Sequence, residues 1–216
     1  SKAVGAHPLV PFAAHSRREA DSMRQNLRKA TDDDPGTYTF RALRPPETPE
    51  SMPEPPAAYS QMGRPDAAPD VKAELRQHVI RGIATGNYTK SPFLHGTALL
   101  SRAKSICFER NHLYKPVLVR WGRDAVHPDC VLNFSNVGTG LQIGQDRRGM
   151  LSDLIGDTRE MEQHLMNCRA WVTKDREIVY LRRPGSSWVQ YWDIFELRWR
   201  PSSEYQEAVD IRTCCM

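Results

Sequence analysis

The chain predicts an α+β domain of split, mostly antiparallel β-sheets with flanking helices. Three observations carry that expectation. The segments run strand, helix, strand, helix, then strands with one intervening helix, an order that suits a mixed fold without repeats. Two strong strand patterns, 170–173 and 177–181, are joined only by Lys174, Asp175 and Arg176, too short a connection for a parallel crossover. Finally, 216 residues with 39% hydrophobic and 26% charged side chains are enough for one domain with appendages.

The elements follow in order. Residues 1–36 form an N-terminal extension with scattered charge, in which Ser16 and Glu19 are placed to start a helix over 16–30. Asp34, Pro35 and Gly36 break it. Residues 38–44 alternate apolar and polar as a strand does. The insertion 45–69 is rich in proline and nearly free of aliphatic residues, so it predicts a long surface loop that packs no core. Val71, Leu75, His78 and Val79 fall at helical spacing.

A short strand at 91–97 is entered through Pro92, and Thr97 then caps a helix over 98–110 whose stripe is Leu99, Leu100, Ala103, Ile106 and Cys107. Strands are expected at 116–121 and 130–134, a glycine-rich loop at 138–149 and a helix over 151–168. A last strand spans 188–199 on the alternation of Val189, Tyr191, Asp193, Phe195, Leu197 and Trp199. The domain thus covers 37–200, with a tail at 201–216.

Composition excludes some classes. Mean hydropathy is −0.60, and no run approaches the roughly 18 apolar residues of a membrane-spanning helix. Thirty basic against 26 acidic residues give a net charge of +4, a weak bias toward anionic partners such as nucleotides. The five cysteines lack metal-ligand spacing, so no metal site is expected. Cys107, Cys130 and Cys168 read as core residues, which favours a reducing compartment, cytoplasm or nucleus. Walker, zinc and Ser-His-Asp signatures are missing, and Gly138, Gly140 and Gly144 precede no helix pattern and make no dinucleotide loop.

The informative anomaly is a set of polar groups inside apolar strand patterns: Arg41 after Phe40, His95 after Leu94, and Glu177 before Ile178, Val179, Tyr180 and Leu181. In this order they resemble the Arg-Ser-Glu branch of the ADP-ribosyltransferase superfamily. Phe40-Arg41-Ala42 looks like the aromatic-Arg-small end of that family's first core strand. His95-Gly96-Thr97 stands where its Ser-Thr-Ser strand runs into a helix, and Asp175-Arg176-Glu177 matches its acid-x-Glu turn. The likeness spans about residues 38–199, and His95 replaces the first serine of the motif.

The resemblance implies cleavage of the nicotinamide–ribose bond of NAD, with NAD as substrate, and transfer of ADP-ribose to an acceptor, protein or nucleic acid, or to water. Glu177 would steady the oxocarbenium-like centre through a ribose hydroxyl, with His95 either orienting it or itself contacting the ribose of NAD. Arg41 would hold the pyrophosphate as a guanidinium fork. Ala42, Thr97 and Phe93 (or Tyr88) would line the nicotinamide and ribose sites, and Asp175 would act on the acceptor. Two other readings use the same residues: a degenerate relative that binds a nucleotide or a protein without turnover, and a metal-free endoribonuclease with His95 and Glu177 as acid and base and Arg41 or Arg81 on phosphate.

Overall fold

The computed structural model describes residues 17–44, 47–56, 74, 78, 91–110, 117–133 and 176–205. Their elements are α1 (Arg17–Arg28), β1 (Tyr38–Ala42), β2 (Leu94–Thr97), α2 (Leu100–Arg110), β3 (Leu118–Gly122), β4 (Val131–Asn133), β5 (Glu177–Tyr180), β6 (Val189–Asp193) and β7 (Arg198–Pro201). The strands form one antiparallel sheet in the order β4-β5-β2-β1-β3-β6-β7. The mixed α+β class is therefore correct. Among the described residues no helix is long and apolar enough to cross a membrane.

The expected pair of split sheets is instead one hydrogen-bonded sheet with a narrow waist. One limb, β4-β5-β2, meets the other, β1-β3-β6-β7, at a single residue pair, Phe40 opposite Thr97. Gly96 makes that junction possible: a Cβ there would lie 2.6 Å from the Thr39 Cγ2 and 2.7 Å from the Phe40 carbonyl oxygen. A side chain at this position would push the limbs apart.

Strand alternation sorts the core of the second limb into two layers. Phe40 and Ala42 of β1, with Leu118 and Trp192, join Leu27, Ala30, Ala103 and Cys107 in the layer beneath α1 and α2. Val119, Trp121, Val189 and Tyr191 alternate the other way and join Leu94, Ile178, Val179 and Tyr180. Cys107 is buried deeply enough that its thiol is pushed up to about 12, which makes it an inert packing residue. In the second layer the Tyr180 hydroxyl is 2.6 Å from the Thr39 hydroxyl, across the waist.

Several expectations change on contact with this architecture. The segment read as an extension supplies α1 to the core, held by the Trp192 indole donating to the Asn26 carbonyl and the Trp199 indole donating to the Thr31 carbonyl. The single strand expected over 188–199 is a hairpin. Asp193 accepts from the Phe195 and Glu196 amides, the Leu197 amide closes on the Asp193 carbonyl, and Leu197 takes a φ of 55°. Alternation continues through this turn by coincidence of composition, because an Asx turn leaves the apolar pattern unbroken.

The proline-rich insertion also departs from expectation. Over 47–56 it does pack: Met52 is 2% exposed and belongs to the layer with Leu43, Phe93 and Leu94. Arg183 straps it down, donating to the Glu50 and Met52 carbonyls and pairing with Glu54 at 3.2 Å. One methionine placed correctly substitutes for the missing aliphatic run. At the far end, Ser202 is buried and Tyr205 meets Tyr191 edge-on, so packing continues past residue 200. The expected helix over 151–168, the strand 170–173 and the loop 138–149 lie outside the described residues, as does most of the helix through His78.

A Gly96→Ala substitution should cost about 2 kcal/mol of stability, the usual scale for overpacking against backbone. The measurement is the urea midpoint, and a midpoint equal to wild type would contradict the close approach at the waist.

Candidate functional site

The site lies on the limb side of the waist, where β1, β2 and β5 are neighbours. The register places His95 opposite Val179 and Thr97 opposite Glu177. Alternation then puts His95, Thr97 and Glu177 on the same side of the β2–β5 pair. Glu177 begins β5 immediately after Arg176, whose φ of 42° turns the chain into the strand and whose carbonyl accepts the Ala98 amide. Glu177 is 3% exposed.

Arg41 reaches the same place from β1. Beyond the Phe40–Thr97 pair the two strands no longer share a ladder, and the Arg41 Nη1 donates to the His95 carbonyl at 2.6 Å. The rest of its fork faces Glu47, with Nη2 to Oε1 at 2.7 Å and Nε to Oε2 at 3.3 Å. Oε2 also accepts the Arg44 amide. Both side chains are largely shielded, at 5% and 14% exposure, so this is a buried bidentate ion pair. The expected free fork for a pyrophosphate is thus met by an internal carboxylate.

His78, which the sequence offers only as a member of a helical stripe, completes the cluster. Its Nε2 lies 3.0 Å from the Glu177 Oε1 and its Nδ1 lies 2.6 Å from the Ser91 hydroxyl. Ser91 in turn accepts the Phe93 amide. In the neutral ring one consistent arrangement has Nε2–H donating to the carboxylate and Nδ1 accepting from the serine. The His78 and His95 rings are 5.2 Å apart, and the donor atoms of His78, His95 and Glu177 all lie within 4.8 Å of one another.

Electrostatics distinguish His95. Burial first, then the Arg41 charge, and then His78 and Arg44 hold its imidazole well below the ordinary value of 6.5, although the Phe93 backbone pulls the other way. His95 is accordingly a neutral ring at physiological pH, able to accept as well as donate.

The other expected residues fall as follows. Thr97 is buried, and its hydroxyl accepts the Leu99 amide at the entry to α2. Ala42 is buried beneath the helices. Phe93 is 1% exposed and meets His78 edge-on at 5.7 Å, so its ring packs the core and presents no open stacking face. Asp175, Tyr88 and Arg81 lie outside the described residues. A separate groove of about 350 Å³ is lined by Asp32, Leu99, Arg123, Asn133 and Arg176 among others, but none of Arg41, His95 or Glu177 lines it.

Comparison with protein-family models, with curated proteins and with solved structures finds no match to the chain. The functional reading therefore rests on the residues themselves.

Two expectations test the site. Glu47→Gln should destabilise the fold by about 3 kcal/mol, because it leaves the Arg41 charge buried without its counter-charge; thermal or urea unfolding reads this, and a change within error would contradict the buried pair. The second concerns pH. Between its depressed native value and 6.5 the His95 imidazole takes up a proton only on unfolding, so its contribution is complete above the ordinary imidazole range and declines as pH falls below it. From about pH 7.5 to about pH 5 the wild-type melting temperature should fall more steeply than that of His95→Gln. Parallel slopes would show that His95 is not held neutral.

Proposed function

We propose that this protein cleaves NAD at the nicotinamide–ribose bond and passes ADP-ribose to an acceptor, water or a macromolecular side chain, from a domain of ADP-ribosyltransferase type. The observation that supports the reading is convergence. Arg41, His95 and Glu177, far apart along the chain, come to three adjacent strands, with the guanidinium bonded to the His95 carbonyl and the imidazole beside the carboxylate.

In that reaction the C1′–N bond breaks and nicotinamide leaves neutral with the bonding electron pair. Positive charge develops on the ribose, and the acceptor bonds to C1′ and releases its proton. A carboxylate that is 3% exposed suits the stabilisation of such charge, since little solvent screens it. His78, bonded to Glu177, holds that carboxylate in one orientation. Arg41 meets a pyrophosphate by exchanging the Glu47 carboxylate for phosphate oxygens, an exchange between anions of like geometry.

One observation favours a second reading, a relative without turnover: the Arg41 fork is already engaged by Glu47 and not by a pyrophosphate. Incubation with NAD labelled in the nicotinamide separates the two. For the enzyme, wild type releases nicotinamide and Glu177→Gln slows release by a factor of about 10² to 10³. Equal rates in the two proteins would end the enzymatic reading. No release from wild type, with a melting temperature raised by NAD, would establish binding alone.

A further inference from the structure

We propose that His78, His95 and Glu177 form a binding site for a divalent transition-metal ion of the zinc class. The site stands on its own geometry and does not require the NAD reading, although the two share Glu177 and His95.

Two imidazoles and one carboxylate are a donor set suited to borderline ions such as zinc, and unsuited to calcium or magnesium, which prefer all-oxygen ligation. The donor atoms already lie within 4.8 Å of one another, with the His78 Nε2 and the Glu177 Oε1 at 3.0 Å. Bonds of about 2.1 Å at tetrahedral angles place ligand atoms roughly 3.4 Å apart. One pair is therefore near the required spacing, and the set closes by side-chain rotation of about an ångström.

The surroundings resemble a constructed site. A metal-bound histidine usually donates its second ring N–H to a fixed acceptor. The His78 Nδ1 has such a partner in the Ser91 hydroxyl at 2.6 Å, and the Phe93 amide fixes Ser91 in turn. With a metal on Nε2, the ring proton moves to Nδ1 and the serine becomes its acceptor, while the ion takes the place of the Nε2 contact to Glu177. His95 and Glu177 sit on paired strands, which limits how far their donors can separate.

Charge is compatible as well. Of the two arginines whose charge bears on His95, Arg41 and Arg44, the first is matched by the Glu47 carboxylate, which also accepts the Arg44 amide. Glu177 supplies the anionic ligand.

The test is titration of the chelator-dialysed full chain with zinc chloride against a chromophoric zinc indicator. One equivalent should bind. His95→Gln and Glu177→Gln should each weaken binding by about 10²-fold or more, and Ser91→Ala by about 10-fold, the effect expected of an outer partner. Millimolar magnesium should not displace the zinc. No stoichiometric binding, or unchanged affinity in both ligand variants, would overturn the site. Cobalt loading of the wild type gives a reading that does not depend on the variants folding. Ligand-field bands without a thiolate charge-transfer band support nitrogen and oxygen ligation, whereas a thiolate band would move the ion to cysteines and refute the assignment.

Discussion

A guanidinium buried at the waist of a sheet imposes demands on everything around it. Moving such a charge out of water costs several kcal/mol unless an opposite charge and hydrogen-bond acceptors accompany it. Arg41 finds both: the Glu47 carboxylate along two N–H groups and the His95 carbonyl along a third. That requirement ties three parts of the chain together. The insertion must return to β1 to deliver Glu47, and β2 must stop pairing with β1 just where its carbonyl is needed. The imidazole of His95, buried first of all and fixed beside a positive charge as well, is held well below the ordinary imidazole range.

The insertion follows from the same constraint. Once Glu47 is anchored, the following residues lie against the second core layer, where Met52 is buried and Arg183 secures the backbone. A segment that cannot build a core of its own can still complete one. A comparable arrangement occurs on the opposite face of the sheet, where the Arg120 guanidinium lies between the Tyr38 and Trp199 rings, 4.1 and 4.4 Å from their centroids, and reaches Gln190. There the aromatic faces and one amide suffice, because Asp33 at the edge shares the charge with solvent.

Between these two arginines two buried hydroxyls of the sheet are paired. The Tyr180 phenol, pushed up to about 12 chiefly by burial, stays protonated and meets Thr39 across the junction of the limbs. The chemistry-bearing cluster occupies the limb with the shorter strands, where the ladder is incomplete and side chains take over backbone hydrogen bonds. A site assembled at such a place can hold the His95 imidazole and a shielded carboxylate together without cutting into the larger core.

Much of this was legible in order and periodicity alone. The mixed α+β class, the strand through Arg41, the short strand through His95 leading into a helix, and Glu177 opening a strand all follow from local alternation and turn chemistry. Polar residues embedded in apolar strands marked where to look. What local pattern could not reveal is which distant groups meet. His78 looked like an ordinary stripe residue and Ser91 like the first residue of a short strand, Glu47 fell in a proline-rich stretch read as a surface loop, and residues 194–197 looked like the middle of a strand. Alternation specifies which way a side chain points from its own backbone, whereas ion pairs, register across the waist and ring contacts depend on chain segments tens of residues apart. The amino-acid order by itself determined the elements and the unusual residues they carry. Only the folded sheet decided that one arginine is answered by Glu47, that Glu177 is held by His78, and that both meet at His95, because burial makes the requirement for a partner and three-dimensional proximity selects it.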